Sequence, residues 1–277
     1  MAIAAEQPES GWCAKLRLGF RKSPGKTLLA DRFREGPLAV QKALYPEGEL
    51  CHVYLLHPPG GVAGGDTLDI AIRVAHDASA LITTPGASKF YRSSGPWAHQ
   101  YQTLKVIDGS LEWLPQENIL FPGANVGLST SIQLSGHAKF IGWEIHCLGR
   151  PAVNERFDRG EAVFSFNLSR NDQPLLIERL LISGEKSLQG AAGLRGNPVF
   201  GTLCATLEEE MPLQRIRQDI PARHRHEFGV TQMDGLLVAR YLGDSTERAR
   251  HLFTETWRLL RPAVLSRPAC NPRIWNT

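Results

Sequence analysis

Val53-Tyr54-Leu55-Leu56, then His57-Pro58-Pro59-Gly60-Gly61-Val62-Ala63-Gly64-Gly65-Asp66, then Leu68-Asp69-Ile70-Ala71-Ile72 reads as a strand, a forced turn and a second strand. Two prolines and four glycines in nine residues cannot continue a strand, so the backbone must change direction there. The alternation of Leu68, Ile70 and Ile72 after the turn has the period of a strand with one face buried. Asp66 closes the turn, where a carboxylate can cap free amides or face a cavity. The glycines do not make a nucleotide loop. A phosphate loop needs Lys and a hydroxyl after its last glycine, whereas Asp66 follows Gly65. A dinucleotide fingerprint would open a helix, and here a strand follows.

Working outward, the same unit recurs. Strand-like runs cover residues 14–20, 27–33, 38–45, 51–56, 67–74, 79–84, 100–107, 110–114, 126–134, 137–147, 161–168, 175–183, 200–207 and 235–241. Turn signals such as Asp108-Gly109, Ser135-Gly136 and Ser183-Gly184 punctuate them. The expectation is a mainly β protein, an elongated body of stacked or packed sheets with about two α-helices, one near the C-terminus. The clear helix starts at Asp244 as N-cap, with Glu247 completing a capping box. Ala249, Leu252, Phe253, Thr256, Trp257 and Leu260 form its apolar stripe, and Pro262 should stop it. A weaker helix lies near 212–218, followed by a polar connector at 223–227. No repeat period or linker divides the chain, so residues 1–277 are expected to form one domain, with 1–11 as a flexible tail.

Composition narrows the function classes. Hydrophobic residues at 42% suffice for a core, and a net charge of +3 is too balanced to point to nucleic acid or an anionic membrane. No run of 18 apolar residues is present, so no membrane span is expected, and the first ten residues lack the layout of a secretory signal. Cys13, Cys51, Cys147, Cys204 and Cys270 are odd in number and widely spaced, which argues for free thiols in a reducing cytoplasm. All but Cys270 fall in apolar runs and should be buried.

Candidate chemistry is sparse. Ser88 and Lys89 are neighbours on a strand and so point to opposite faces, which excludes a Ser-Lys nucleophile. Glu144 and His146 are two apart on a strand and share a face, where they could hold a divalent metal weakly or simply form an ion pair. His224 and His226 could do the same, against the opposing charge of the adjacent arginines. Glu112, Gln116 and Glu117 surround a Pro115 break that reads as a sheet corner, with Trp113 and Phe121 in the core. A hydrolase pairing Glu112 or Glu117 with Glu144 is the rival enzyme reading. Trp97, His99 and Tyr101 are the nearest thing to an aromatic binding platform, or mark strand packing. No His-Glu-x-x-His or Gly-x-Ser-x-Gly is present, so the residues favour a binding or scaffold protein over an enzyme.

The turn at 57–66, the stretches 83–92, 111–121 and 142–150, Arg240-Tyr241-Leu242-Gly243-Asp244 and Pro272-Arg273-Ile274-Trp275-Asn276-Thr277 together resemble the urease accessory protein family UreD (UreH). The likeness runs from about residue 12 to the C-terminus; Val153-Asn154 and the His-rich 223–227 depart from it. The resemblance implies a mostly β, non-catalytic chaperone that binds urease apoprotein. Its expected partners are a UreF-like helical accessory protein and a UreG-like GTPase, with a UreE-like nickel donor upstream. It further implies that no cofactor is held tightly and that Ni²⁺ passes in transit through a polar interior. The motif positions Asp66, Ser88, Glu144 and Glu178 are the implied stations, with His146 a weaker one. One or two oxygen donors per station would let the ion move on, where a closed four-ligand site would trap it.

Overall fold

The computed structural model describes residues 11–207, 211–220 and 222–276. Its strands are β1 (Cys13–Ser23), β2 (Lys26–Glu35), β3 (Ala39–Val40), β4 (Cys51–Leu56), β5 (Thr67–Val74), β6 (Ser79–Thr83), β7 (Ser88–Phe90), β8 (Ala98–Ile107) and β9 (Ser110–Leu114). They continue with β10 (Asn118–Leu120), β11 (Asn125–Ser135), β12 (Lys139–Arg150), β13 (Glu155–Arg156), β14 (Glu161–Arg170), β15 (Gln173–Ser183), β16 (Val199–Thr206), β17 (Phe228–Met233) and β18 (Leu236–Gly243). The helices are α1 (Gly184–Gln189), α2 (Met211–Asp219) and α3 (Thr246–Leu265). The mainly β body with a helix near the C-terminus is as expected, and α1 is an additional short one.

Through its middle the chain alternates between two sheets. Strands β5, β8, β11 and β14 lie parallel in one sheet, ordered β15-β14-β11-β8-β5-β1-β2. Strands β4, β6, β9 and β12 lie parallel in the other, ordered β17-β18-β16-β12-β9-β6-β4-β3, with β10 and β13 on β12 and β7 on β10. Parallel neighbours need a crossover, and here each crossover is a strand of the opposite sheet. The turn signals at Asp108-Gly109 and Ser135-Gly136 are therefore corners between sheets. Asp108 and Gly136 take positive φ (46° and 62°), as such corners demand. Successive corners are tied together, since Asp108 accepts from His137 N (2.8 Å) and Asn171 from Gly136 N (2.9 Å).

The two sheets differ in what covers them, and the sequence shows it. In the first sheet the even-numbered residues Leu68, Ile70 and Ile72 enter the intersheet core while the odd ones face outward, so β5 alternates. The second sheet is buried on both faces, because α3 packs on its outer side through Leu252, Phe253, Trp257 and Leu260. Strand β4 is accordingly apolar or buried almost throughout.

Several local expectations change. The run at 38–45 keeps only the two-residue β3, and β17 goes unread because its alternation is interrupted by Thr231 and Gln232. The α3 N-cap is Ser245, whose Oγ accepts from Arg248 N (3.2 Å); Asp244 instead pairs with Arg248 (3.1 Å). Pro262 does not stop α3. The helix continues to Leu265 because Val264 and Leu265 remain in the core, and the left-handed Ser266 then closes it by donating its N–H to Pro262 O. Cys51, Cys147 and Cys204 are buried, but Cys13 is exposed because its odd position on β1 faces outward. Phe121 is only half-buried, while Trp113 is in the core as expected. The expected tail at 1–11 lies outside the described residues except for Gly11, which abuts Gly65.

A buried ionic network fastens α3. Arg261 has no exposed side-chain surface, and its guanidinium donates to Glu112 at 2.9 and 3.0 Å and to Glu47 at 2.7 Å from each of two nitrogens. Trp257 Nε1 donates to Glu112 (2.6 Å), and His52 Nε2 lies 2.7 Å from Glu47. Burial pushes both carboxyls up. At Glu112 it prevails, whereas at Glu47 the hydrogen bonds from His52 and Arg261 outweigh it and hold the pKa down at about 2. A carboxyl depressed in the folded state adds stability that is complete above its unfolded pKa and is lost as pH falls through the folded one. The stability gap between the native chain and Glu47→Gln should therefore be widest above about pH 4.5 and close toward pH 2, as checked by urea unfolding across that range.

Candidate functional site

Glu144 and His146 stand on the inward face of β12, as their spacing predicts, between the apolar Phe140 and Leu148 positions that serve the core. They approach each other at 3.4 Å, with side chains 13% and 5% exposed. A charged group can occupy the intersheet space because polar residues of the opposite sheet meet it there. On β8 the inward positions after Ala98 are Gln100 and Gln102, and on β11 the inward Thr130 touches Glu144 while lying 2.9 Å from Gln102 Oε1. Asn118 on β10 sits 3.4 Å from His146 Nδ1. The His146 ring is flanked by Phe164 and Phe200 at centroid separations of 4.6 and 5.0 Å.

Two cavities flank Glu144. One, of about 210 Å³, is lined by Ser88, His57, Gln100, Gln102, Asn118 and Glu144. Its other wall is the turn at Gly60-Gly61, and two buried ring nitrogens beside it, His57 Nε2 and Trp113 Nε1, have no hydrogen-bond partner among the described residues. Burial lowers the His57 pKa, an effect that the Asp66 charge partly opposes, and so favours the neutral ring. The second cavity, of about 430 Å³, is lined by Glu144, His146, Phe164, Phe200, Glu178 and Arg240. Glu178 projects inward from β15, paired with Arg240 and accepting from Thr202 Oγ1 (3.3 Å). Glu144 is common to both walls, so Ser88, Glu144, His146 and Glu178 fall along one polar seam.

Asp66 is placed differently. Its oxygens accept the backbone N–H groups of Ala63 (2.8 Å) and Trp12 (3.3 Å), and it lines neither cavity. It caps the turn that forms one cavity wall. Asp66→Ala should lower stability by about 1–2 kcal/mol through two lost hydrogen bonds, read as an earlier urea midpoint.

The remaining candidates are not drawn into this seam. Glu112 points out of the opposite face of its sheet into the Arg261 network, and Glu117 lies 3.7 Å from Arg250, so neither forms an acid–base pair with Glu144. His224 and His226 both lie near Glu227, at 3.8 and 3.4 Å. Trp97, His99 and Tyr101 stack along β8 on the outer face of the first sheet. Gln100, Gln102, Asn118 and Thr130 were not singled out from the sequence. Their signal is a polar residue at an inward position of a strand that otherwise alternates.

The UreD urease accessory protein family model matches residues 13–276. The urease accessory protein UreD of Alcanivorax borkumensis is 48% identical over 273 residues, covering 96% of this chain and 93% of that protein. The protein of the same name from Dechloromonas aromatica is 46% identical, with 99% of each chain covered. That from Nitrosococcus oceani is also 46% identical, over 96% of this chain and 90% of its own. No helix among the described residues is long and apolar enough to cross a membrane. With a likeness that runs almost end to end, the chain belongs to the UreD family of non-catalytic urease accessory proteins.

Proposed function

We propose that this chain binds urease apoprotein and, with a helical and a GTP-hydrolysing accessory partner, supports insertion of Ni²⁺ into the urease active site. Nickel is cargo here and not a resident cofactor. The ion moves between the two sheets, past Ser88, Glu144 with His146, and Glu178. The observation that carries this reading is that Glu144 lines both cavities, so that one carboxylate donor is shared by their walls.

The chemistry supports transit. A partly dehydrated divalent ion needs oxygen or imidazole donors to replace lost water, and few enough of them to be released. Carboxylates at Glu144 and Glu178, the Ser88 hydroxyl, and the Gln100 and Gln102 amides supply one or two donors at a time. Among the described residues no three His, Cys, Asp or Glu side chains gather as a closed metal site. Asp66 serves the route through the turn that it holds. Five unbridged thiols support a cytoplasmic setting.

Complementation tests the whole reading. A urease gene cluster deprived of its own UreD, grown with nickel, is assayed for urea hydrolysis and nickel per active site with and without this chain. Both should recover. Capture of the foreign urease and accessory partners without recovery of nickel would overturn the insertion role.

A further inference from the structure

A larger opening than either cavity lies off the nickel seam. It is a cleft of about 950 Å³ whose lining includes Arg92, Arg150, Arg156 and Arg159 against only two carboxylates, Glu155 and Asp158. The topology brings it about. Strands β7, β10 and β12 are parallel, with Phe90 and Leu148 both in register with Leu120. Residues at or just past their ends, Arg92, Phe121 and Arg150, therefore emerge at one edge. Three of the stretches singled out in the sequence, 83–92, 111–121 and 142–150, terminate at this place.

The arginines are not equivalent. Arg150 is spoken for: its Nε donates to Glu155 at 2.7 Å, a second nitrogen bonds the other oxygen, and the guanidinium lies 4.6 Å over the Phe121 ring. Arg92, Arg156 and Arg159 are exposed and form no salt bridge among the described residues, although the Glu155 pKa, held down first by its hydrogen bond from Arg150, is also lowered by the nearby Arg159 charge. Arg92 and Arg159 are neighbours across Gly123, since a Cβ there would lie 3.5 Å from both Arg92 Cβ and Arg159 Nε. Half-buried Phe121 and the 40%-exposed Tyr91, with ring centroids 5.1 Å apart, give the cleft an apolar side.

We propose that this cleft docks an acidic peptide segment of a partner protein, two or more carboxylate side chains pairing with Arg92, Arg156 and Arg159 and an apolar side chain resting on Tyr91 and Phe121. Arginine forks match carboxylates two-for-two, and the Arg150–Glu155 pair is an internal example of that match in the same cleft. A phosphate cluster is a poorer occupant. Phosphate sites draw on converging free backbone N–H groups, but those of Tyr91, Ser93, Phe121, Gly123, Ala124 and Asn154 are already bonded within the chain. Glu155 and Asp158 would also repel a dense polyanion more than carboxylates spaced along a peptide.

The test uses the purified full chain and a fluorescein-labelled Glu-Glu-Leu-Glu-Glu peptide, followed by anisotropy at low salt. Saturable binding is expected. Removing Arg92 or Arg159 singly by alanine should weaken it by roughly two- to five-fold, the range for one exposed ion pair, and removing both by roughly ten-fold. Arg92→Lys should lose less than Arg92→Ala, and Arg215→Ala, on α2 and outside the cleft, should change nothing. All these side chains are exposed, so circular dichroism should show an unaltered fold. Binding that survives the Arg92, Arg156 and Arg159 triple alanine variant would overturn the proposal. So would displacement of the peptide by inorganic tripolyphosphate at far lower concentration than by unlabelled peptide, which would make the cleft a phosphate site.

Discussion

Replacing Glu144 by glutamine should leave the chain folded and bound to urease apoprotein, yet lower nickel per urease active site and urea hydrolysis on the order of ten-fold. The substitution keeps the volume, and the amide can still bond the hydroxyl of Thr130 and the ring of His146. What it removes is the one formal charge on the wall shared by both cavities. A divalent ion leaving water needs that charge, because in a space of low polarity an uncompensated cation is strongly disfavoured. Glutamine at Glu178 should do less, since that carboxylate already spends part of its charge on Arg240. The readouts are nickel content by elemental analysis and capture of urease by the tagged chain. Full nickel loading through the Glu144→Gln protein would remove Glu144 from the route.

The second large effect concerns stability. Arg261→Ala should cost about 3–5 kcal/mol, because it leaves Glu112 and Glu47 facing each other in the interior without their cation. In a chain of this size that is on the order of 10 °C in the melting temperature. The sign of the pH dependence identifies the cause. Burial already raises the Glu112 pKa in the native chain, where Arg261 works against it. Without Arg261 the carboxyl should take up a proton in the folded state, and a folded-state pKa raised above the unfolded one favours folding as pH falls. The deficit should then be smaller at pH 5 than at pH 8. A deficit that does not change with pH would point to lost packing of the arginine stem instead.

How far the sequence reached can be judged residue by residue. Alternation in 67–74 was legible because one face of the first sheet meets water, and the stripe in 246–260 because α3 has one buried side. Glu144 and His146 could be placed on one face from spacing alone, since strand geometry leaves no choice. Pairing was not legible: Asp108-Gly109 looks the same as a hairpin turn and as a corner, and only the partner strands distinguish them. Asp66 shows the same limit. Its type and position suit either a cap or a ligand, and the choice is made by Trp12 and Ala63, one of them 54 residues away. Ser245 displaced Asp244 as the cap because both are good caps and the strand before them ends at Gly243. The basic cleft was invisible because Arg92, Arg150, Arg156 and Arg159 gather only after three parallel strands have been laid side by side.

The Arg261 network also sets a schedule for making the protein. Arg261 follows Glu112 by 149 residues and Glu47 by 214. At a synthesis rate of about 5–20 residues per second, Glu112 leaves the ribosome roughly 7–30 s before Arg261 does. During that interval the outer face of the second sheet, with Leu81, Trp143 and Ile145 among its residues, has no α3 to cover it. A nascent chain can lay down strands but cannot close them off. A chain that stopped short of residue 261 would leave this apolar face uncovered and Glu112 without the guanidinium that pairs it.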